Sequence, residues 1–147
     1  MPWTAVTIGR SGKKVTRSVQ GPLDPASARS TLEQLVALYR CGLTGPLPLP
    51  VKTAAEYAER RAKGSSPTVA RMAATRKWDT DRYPGESHDG EHRLLHGEDA
   101  PLTVLTAQVP LADETGPGWA GDEPDRFGRL ARRLWQPLLA AEALVVV

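Results

Sequence analysis

The most extended one-sided run of apolar residues begins at Ala28. With about 100° per residue, Leu32, Leu35, Val36 and Tyr39 lie within roughly 80° of Ala28, while Glu33, Ala37 and Arg40 lie opposite. The spacing predicts an amphipathic helix starting at Ser27 with a buried seam. Gly42 is expected to close its last turn in the left-handed conformation. Pro46, Pro48 and Pro50 then exclude helix and remove backbone donors, so the connector from Gly45 to Val51 reads as extended and stiff. Thr53 restarts the helix, with Glu56 placed as its capping-box partner. Ala54, Tyr57, Ala58 and Ala62 give this second helix a narrow face of mainly small side chains that another element can approach closely. The stretch from Ser27 to Arg61 is thus an elbow of two helices with a proline-braced joint.

The flanks follow the same logic. Trp3 to Gly9 and Lys14 to Val19 alternate and are rich in β-branched residues around an Arg10–Lys13 turn, which predicts a β-hairpin. Two strands alone are marginal in water, so the hairpin needs a cover or further strands. Asp24 and Pro25 are the N-cap and first position of the first helix. Ser66 caps a weakly amphipathic third helix over Pro67 to Trp78, with Val69, Met72, Ala73 and Arg76 on one face. Asp79 to Gly97 is polar and turn-rich, and Pro101 to Val109 reads as a short helix in preference to a strand. Pro110 to Asp125 has the glycine and proline content of a mobile loop. The final helix sets Phe127, Leu130, Ala131, Leu134, Trp135 and Leu138 against Arg126, Arg129, Arg132 and Arg133, with Pro137 expected to kink it. Leu144 to Val147 is either a strand with a partner or an exposed edge. The architecture expected is α+β and mostly helical, an N-terminal β-hairpin plus four or five helices, with the apolar stripes of the first and last helices buried.

Composition narrows the function classes. The 147 residues suffice for one domain with a core, and 19 Lys and Arg against 17 Asp and Glu leave a net charge of +2. That excess argues for nucleic acid only if basic residues cluster locally. The single cysteine, Cys41, cannot form an internal disulfide, which points to a reducing cytoplasm. No apolar run approaches the ~18 residues of a membrane span.

The sharpest chemical string is His88-Asp-Gly-Glu91-His92, which matches the H-x-x-E-H pattern of inverted zinc peptidases, with His96 one turn on. Two imidazoles and a carboxylate could hold a catalytic zinc if one helix carried them. Pro84 and Gly85 before the string, Gly90 within it and Gly97 soon after it argue against a long helix, so solvated or structural histidines are the simpler reading and a metal-dependent hydrolase the alternative. A metal-dependent nuclease needs a carboxylate two residues before a lysine, and no such doublet occurs. No Gly-x-Ser-x-Gly elbow or phosphate-cradling Gly-Lys-Ser/Thr loop is present either. Lys13, Lys14 and Arg17 on the hairpin and the four arginines of the last helix are candidate contacts for DNA or an acidic partner. Their simpler role is a solvated face.

Pro2-Trp-Thr-Ala-Val-Thr-Ile-Gly-Arg10, Leu32-Glu-Gln-Leu-Val-Ala-Leu-Tyr39 and the Gly42-Leu-Thr-Gly-Pro-Leu-Pro-Leu-Pro50 element before Lys52-Thr53 carry a resemblance. Trp78, Pro84-Gly-Glu86 with Asp89 and His92, Phe127-Gly-Arg-Leu-Ala131 and Trp135-Gln-Pro-Leu-Leu139 extend it. In their order and spacing the chain resembles the C-terminal region of RecC, the gamma subunit of bacterial exodeoxyribonuclease V. The resemblance implies part of an inactivated restriction-endonuclease-like, PD-(D/E)XK domain with no catalytic site and no cofactor of its own. It also implies a structural and protein-binding role beside RecB-like and RecD-like subunits in a helicase and nuclease complex that acts at double-stranded DNA ends and leads off single strands. ATP and Mg²⁺ would belong to the partner subunits. A whole RecC is several times longer, so residues 1–147 are expected to be a fragment lacking upstream strands. A stand-alone nucleic-acid-binding domain is the alternative from a different class.

Overall fold

The computed structural model describes residues 3–11, 14–80 and 83–146, so Lys13 and the adjoining turn residue lie outside the described residues. The chain is α+β, as expected. Strands β1 (Ala5–Ser11) and β2 (Lys14–Gln20) form the N-terminal hairpin, and β3 (Glu142–Val146) pairs antiparallel with β2, giving the order β1-β2-β3. The apolar C-terminal stretch therefore has a partner. In register, Val6 faces Val19 and Ile8 faces Arg17, while Arg17 faces Val145 on its other side. Glu142 accepts a 2.5 Å hydrogen bond from Ser18 Oγ across the β2–β3 pair.

Among the described residues six α-helices separate the hairpin from β3, one more than the upper expectation: α1 (Pro25–Thr44), α2 (Val51–Ala62), α3 (Pro67–Trp78), α4 (Gly90–His96), α5 (Thr103–Thr106) and α6 (Arg126–Ala141). The additional helix is α4, in the polar 79–97 stretch, which shows no apolar periodicity because the helix is only seven residues long and buries none of them. The N-caps of α1 and α3 are as read from sequence. Asp24 accepts from the amides of Ala26 and Ser27, and the Ser27 hydroxyl, followed by these amides, holds its carboxyl below the usual carboxylate range; Ser66 accepts from Val69.

Two local expectations give way to other contacts. Helix α1 runs through Gly42 to Thr44, whose hydroxyl donates to the Cys41 carbonyl. Pro46 sets the end instead, since the residue before a proline is pushed out of the α region. Helix α2 begins at Val51, and Glu56 reaches Arg60 at 2.9 Å and no capping position. Its first amides are met from a distance: the buried Glu86 carboxylate accepts from Lys52 N at 2.8 Å and Thr53 N at 2.6 Å. The helix dipole favours that negative charge.

The core lies between α2, α3, α5 and α6 and consists of Ala54, Tyr57, Ala70, Ala74, Trp78, Leu102, Leu105, Phe127 and Ala131. The small α2 face meets an equally small α3 face, so the two helices approach closely and the bulk is supplied by Trp78, Tyr57 and Phe127. Tyr57 and Phe127 pack edge to face at 5.2 Å, and Trp78 Nε1 donates to the Ala100 carbonyl at 2.6 Å. A Cβ at Gly85 would lie 2.2 Å from the Trp78 carbonyl oxygen, so this contact requires glycine. Val69 and Met72, the expected α3 face, are exposed, because the side that packs is the alanine side.

The buried-stripe expectation holds for the first half of α6 and fails for α1. Phe127, Leu130 and Ala131 are buried, whereas Leu38 is the buried residue of α1, and Leu32 and Tyr39 are 62% and 67% exposed. Among the described residues α1 packs mainly on α6, which leaves most of its apolar seam uncovered.

Candidate functional site

Helix α6 has an apolar side against α2 and an arginine side against the 110–125 segment. Asp125 caps its start, accepting from Gly128 N at 2.7 Å while pairing with Arg71 at 2.5 Å. Arg126 donates to Glu114 at 2.6 Å, and the Glu114 carboxylate also accepts from the Leu111 amide. Arg129 Nη1 donates to the Glu114 carbonyl at 2.7 Å. Arg132 pairs with Asp122 at 2.7 Å and Glu123 at 3.1 Å. Three of the four arginines thus hold their own chain. The segment expected to be mobile is fastened by carboxylates at 114, 122, 123 and 125.

Glu123 is the centre of this clamp. Its fully buried carboxylate accepts from Tyr57 Oη at 2.5 Å, Arg61 Nε at 2.6 Å and Arg132 Nη1 at 3.1 Å. A buried carboxylate with several charge-assisted donors is compensated. Burial and the Glu123 hydrogen bond push the Tyr57 phenol well above its ordinary range. Burial works against the Arg61 charge, yet the hydrogen bond to Glu123 and the neighbouring negative charges of Glu123 and Asp122 together outweigh it and the guanidinium pKa is raised. Gly128 leaves room for the cluster, since a Cβ there would fall 2.8 Å from Glu123 Oε2 and 3.0 Å from Tyr57 Oη.

Arg133 differs from its three neighbours. Its guanidinium carbon lies 4.1 Å from the Trp119 ring centroid, a cation–π stack, but Nη1 is buried with no hydrogen-bond partner among the described residues. Burial lowers its pKa, the Cys41 thiol on α1 being the titratable group that faces it. The pair borders a cleft of about 430 Å³ between α1, the 118–122 segment and α6, with Gln34, Arg132, Gln136 and Pro137 also in its walls. A second, apolar pocket of about 240 Å³, lined by Leu23, Leu35, Leu134 and Leu138, meets the first at Pro137.

The histidine string is divided between elements. His88 sits in a 3-10 turn (Glu86–His88), and Asp89, extended at φ −65° and ψ 140°, separates it from α4. His88 faces Asp99 at 3.6 Å, whereas His92 and His96 stack on each other and lean edge-on against Trp78, and Glu91 is exposed. Among the described residues no group of three His, Cys, Asp or Glu side chains is placed to hold a metal ion. Burial and the neighbouring His92 lower the His96 pKa. Lys14 and Arg17 are exposed on β2, remote in sequence from the α6 arginines.

A family model described as the RecC C-terminal domain matches residues 3–62. The RecBCD enzyme subunit RecC of Mycobacterium tuberculosis is 39% identical over 97% of this chain. The chain is homologous to the C-terminal region of RecC. The same subunit of Mycolicibacterium smegmatis is 39% identical over 95% of the chain, and in both relatives the match spans 12% of the curated sequence. No solved structure matches. The family match covers β1, β2, α1 and α2, and so takes in both the hairpin and the proline-braced elbow.

Proposed function

We propose that this chain is a non-catalytic, protein-binding element of a RecC-like subunit, working in a cytoplasmic ATP-dependent helicase and exonuclease complex in double-strand break repair and recombination. RecB-like and RecD-like subunits are its neighbours under this reading, ATP and Mg²⁺ are theirs, and the fold is part of an inactivated nuclease-like domain. The observation that carries it is the mismatch between two surfaces. The arginine side of α6, the strongest candidate for a phosphate track, is largely neutralised by its own loop, while the apolar side of α1 is open to solvent at Leu32, Val36, Tyr39 and Leu43. The sheet adds Val6, Ile8 and Val145, which the strand register sets on one face and which are all exposed. Exposed apolar side chains gathered on one helix side and one sheet face, with Arg17 between Ile8 and Val145, mark a protein interface more than a nucleic-acid one. Among the described residues no helix is long and apolar enough to cross a membrane. The test is a nuclease assay with Mg²⁺ or Mn²⁺ beside a salt titration of binding to duplex and single-stranded oligonucleotides. No cleavage and no tight low-salt binding are expected. Metal-dependent cleavage, or affinity that falls steeply with salt, contradicts the proposal.

A further inference from the structure

The Arg133–Trp119 cleft and the apolar pocket beyond Pro137 share that residue in their walls at the α1–α6 junction, the first bordered by a cation and the second apolar, and together they offer a groove of two adjoining pockets. We infer that this groove takes a segment of a neighbouring subunit in which a single Asp or Glu, bound by the Arg133 guanidinium edge, is followed by one or two apolar side chains that enter the pocket of Leu35, Leu134 and Leu138. The inference rests on the protein-binding role proposed above and names the chemistry of one contact. Charge balance selects this occupant. Arg126 and Arg132 have carboxylate partners in their own chain and Arg129 is taken up by backbone carbonyls, so among the described residues Arg133 is the cation of the groove without a carboxylate partner. A polyanion needs several phosphate contacts, whereas one carboxylate neutralises one guanidinium. The stack on Trp119 covers the guanidinium face and orients its plane, leaving the edge as the donor surface. Nη1 itself is enclosed without a hydrogen bond, so among the described residues it meets no acceptor that would offset the guanidinium charge. Arginine and tryptophan are also among the residue types that carry most interface energy.

The experiment uses the full 147-residue chain, a set of overlapping 15-residue peptides tiling the RecB-like and RecD-like subunits, a 15-mer of oligothymidylate, and both intact subunits as analytes. Bound peptides should share an acidic residue next to apolar ones. Arg133→Gln should weaken them at least tenfold, Arg133→Lys should retain part of the affinity, and changing the peptide acid to its amide should mimic Arg133→Gln. Far-UV circular dichroism and melting establish that the variants are folded. Peptide binding indifferent to Arg133, or oligothymidylate bound through Arg133 in place of peptide, overturns the inference. Capture of an intact subunit that Arg133→Gln leaves unchanged overturns it while the scaffold role stands. Capture of neither subunit overturns both.

Discussion

Replacing Glu123 removes the acceptor on which three donors converge. In Glu123→Ala, Tyr57 Oη, Arg61 and Arg132 lose a carboxylate that is 1% exposed, and Asp122 remains to share the two guanidiniums at the surface. Removing one partner of a buried, charge-assisted cluster costs about 3–5 kcal/mol, because what remains is desolvated and unpaired. Asp122 is well exposed, so its compensation is of the order of the ~0–1 kcal/mol of surface pairs, leaving a net loss of about 3 kcal/mol. For a chain of this size that corresponds to a melting temperature lower by about 10 °C. In urea, with a slope of about 1–3 kcal/mol per molar, the midpoint should fall by at least about 1 M. Tyr57→Phe removes only the phenol donor and should cost about 1.5–3 kcal/mol. The two changes share one contact, so the double variant should lose less than the sum of the singles. A Glu123→Ala variant that melts within about 2 °C of the parent would refute the view that this carboxylate fastens the 110–125 segment to α2 and α6.

Other expectations follow from single contacts. Glu86→Ala leaves the amides of Lys52 and Thr53 without their acceptor and should destabilise by about 1–2 kcal/mol, with the earliest hydrogen exchange at the start of α2. Gly85→Ala places a methyl 2.2 Å from the Trp78 carbonyl and should cost more than 2 kcal/mol in a melt, against a change under about 0.5 kcal/mol for Gly9→Ala, where the Cβ meets open space. Because the folded His96 resists protonation, its contribution is present above about pH 6.5 and is lost as pH falls through the folded value; His96→Phe should flatten that acid limb. Tyr57 has the opposite sign. Its raised pKa keeps its contribution intact below about pH 10 and removes it as pH rises, and Tyr57→Phe should abolish that part of the alkaline loss.

Much of this was legible because the deciding interactions are local. The Asp24 and Ser66 caps, the hairpin and the inward face of Phe127, Leu130 and Ala131 each follow from a few neighbouring residues. The failures have a common cause in distance along the chain. Glu86 caps α2 from more than thirty residues away, which no capping-box pattern reveals. The amphipathic seam of α1 reads as buried because periodicity reports that a face wants a partner without saying where the partner lies. The α6 arginines look solvent-facing on a helical projection, while their carboxylates lie in the loop before the helix. The Asp122-Glu-Pro-Asp125 run just ahead of four arginines was the available signal for that clamp, and Trp119 amid glycines was the signal for the Arg133 stack. His88 and His92 share a motif in the string and part company at Asp89 because an extended residue interrupts the helix.

The most direct measurement of the central claim is size-exclusion chromatography with light scattering of the chain mixed separately with purified RecB-like and RecD-like subunits, repeated with Leu32→Asp and Tyr39→Asp on the open side of α1. The account predicts a stoichiometric complex with at least one subunit in the absence of DNA, lost in these two folded variants. A chain that elutes alone with both subunits, or a complex that survives both substitutions, contradicts it.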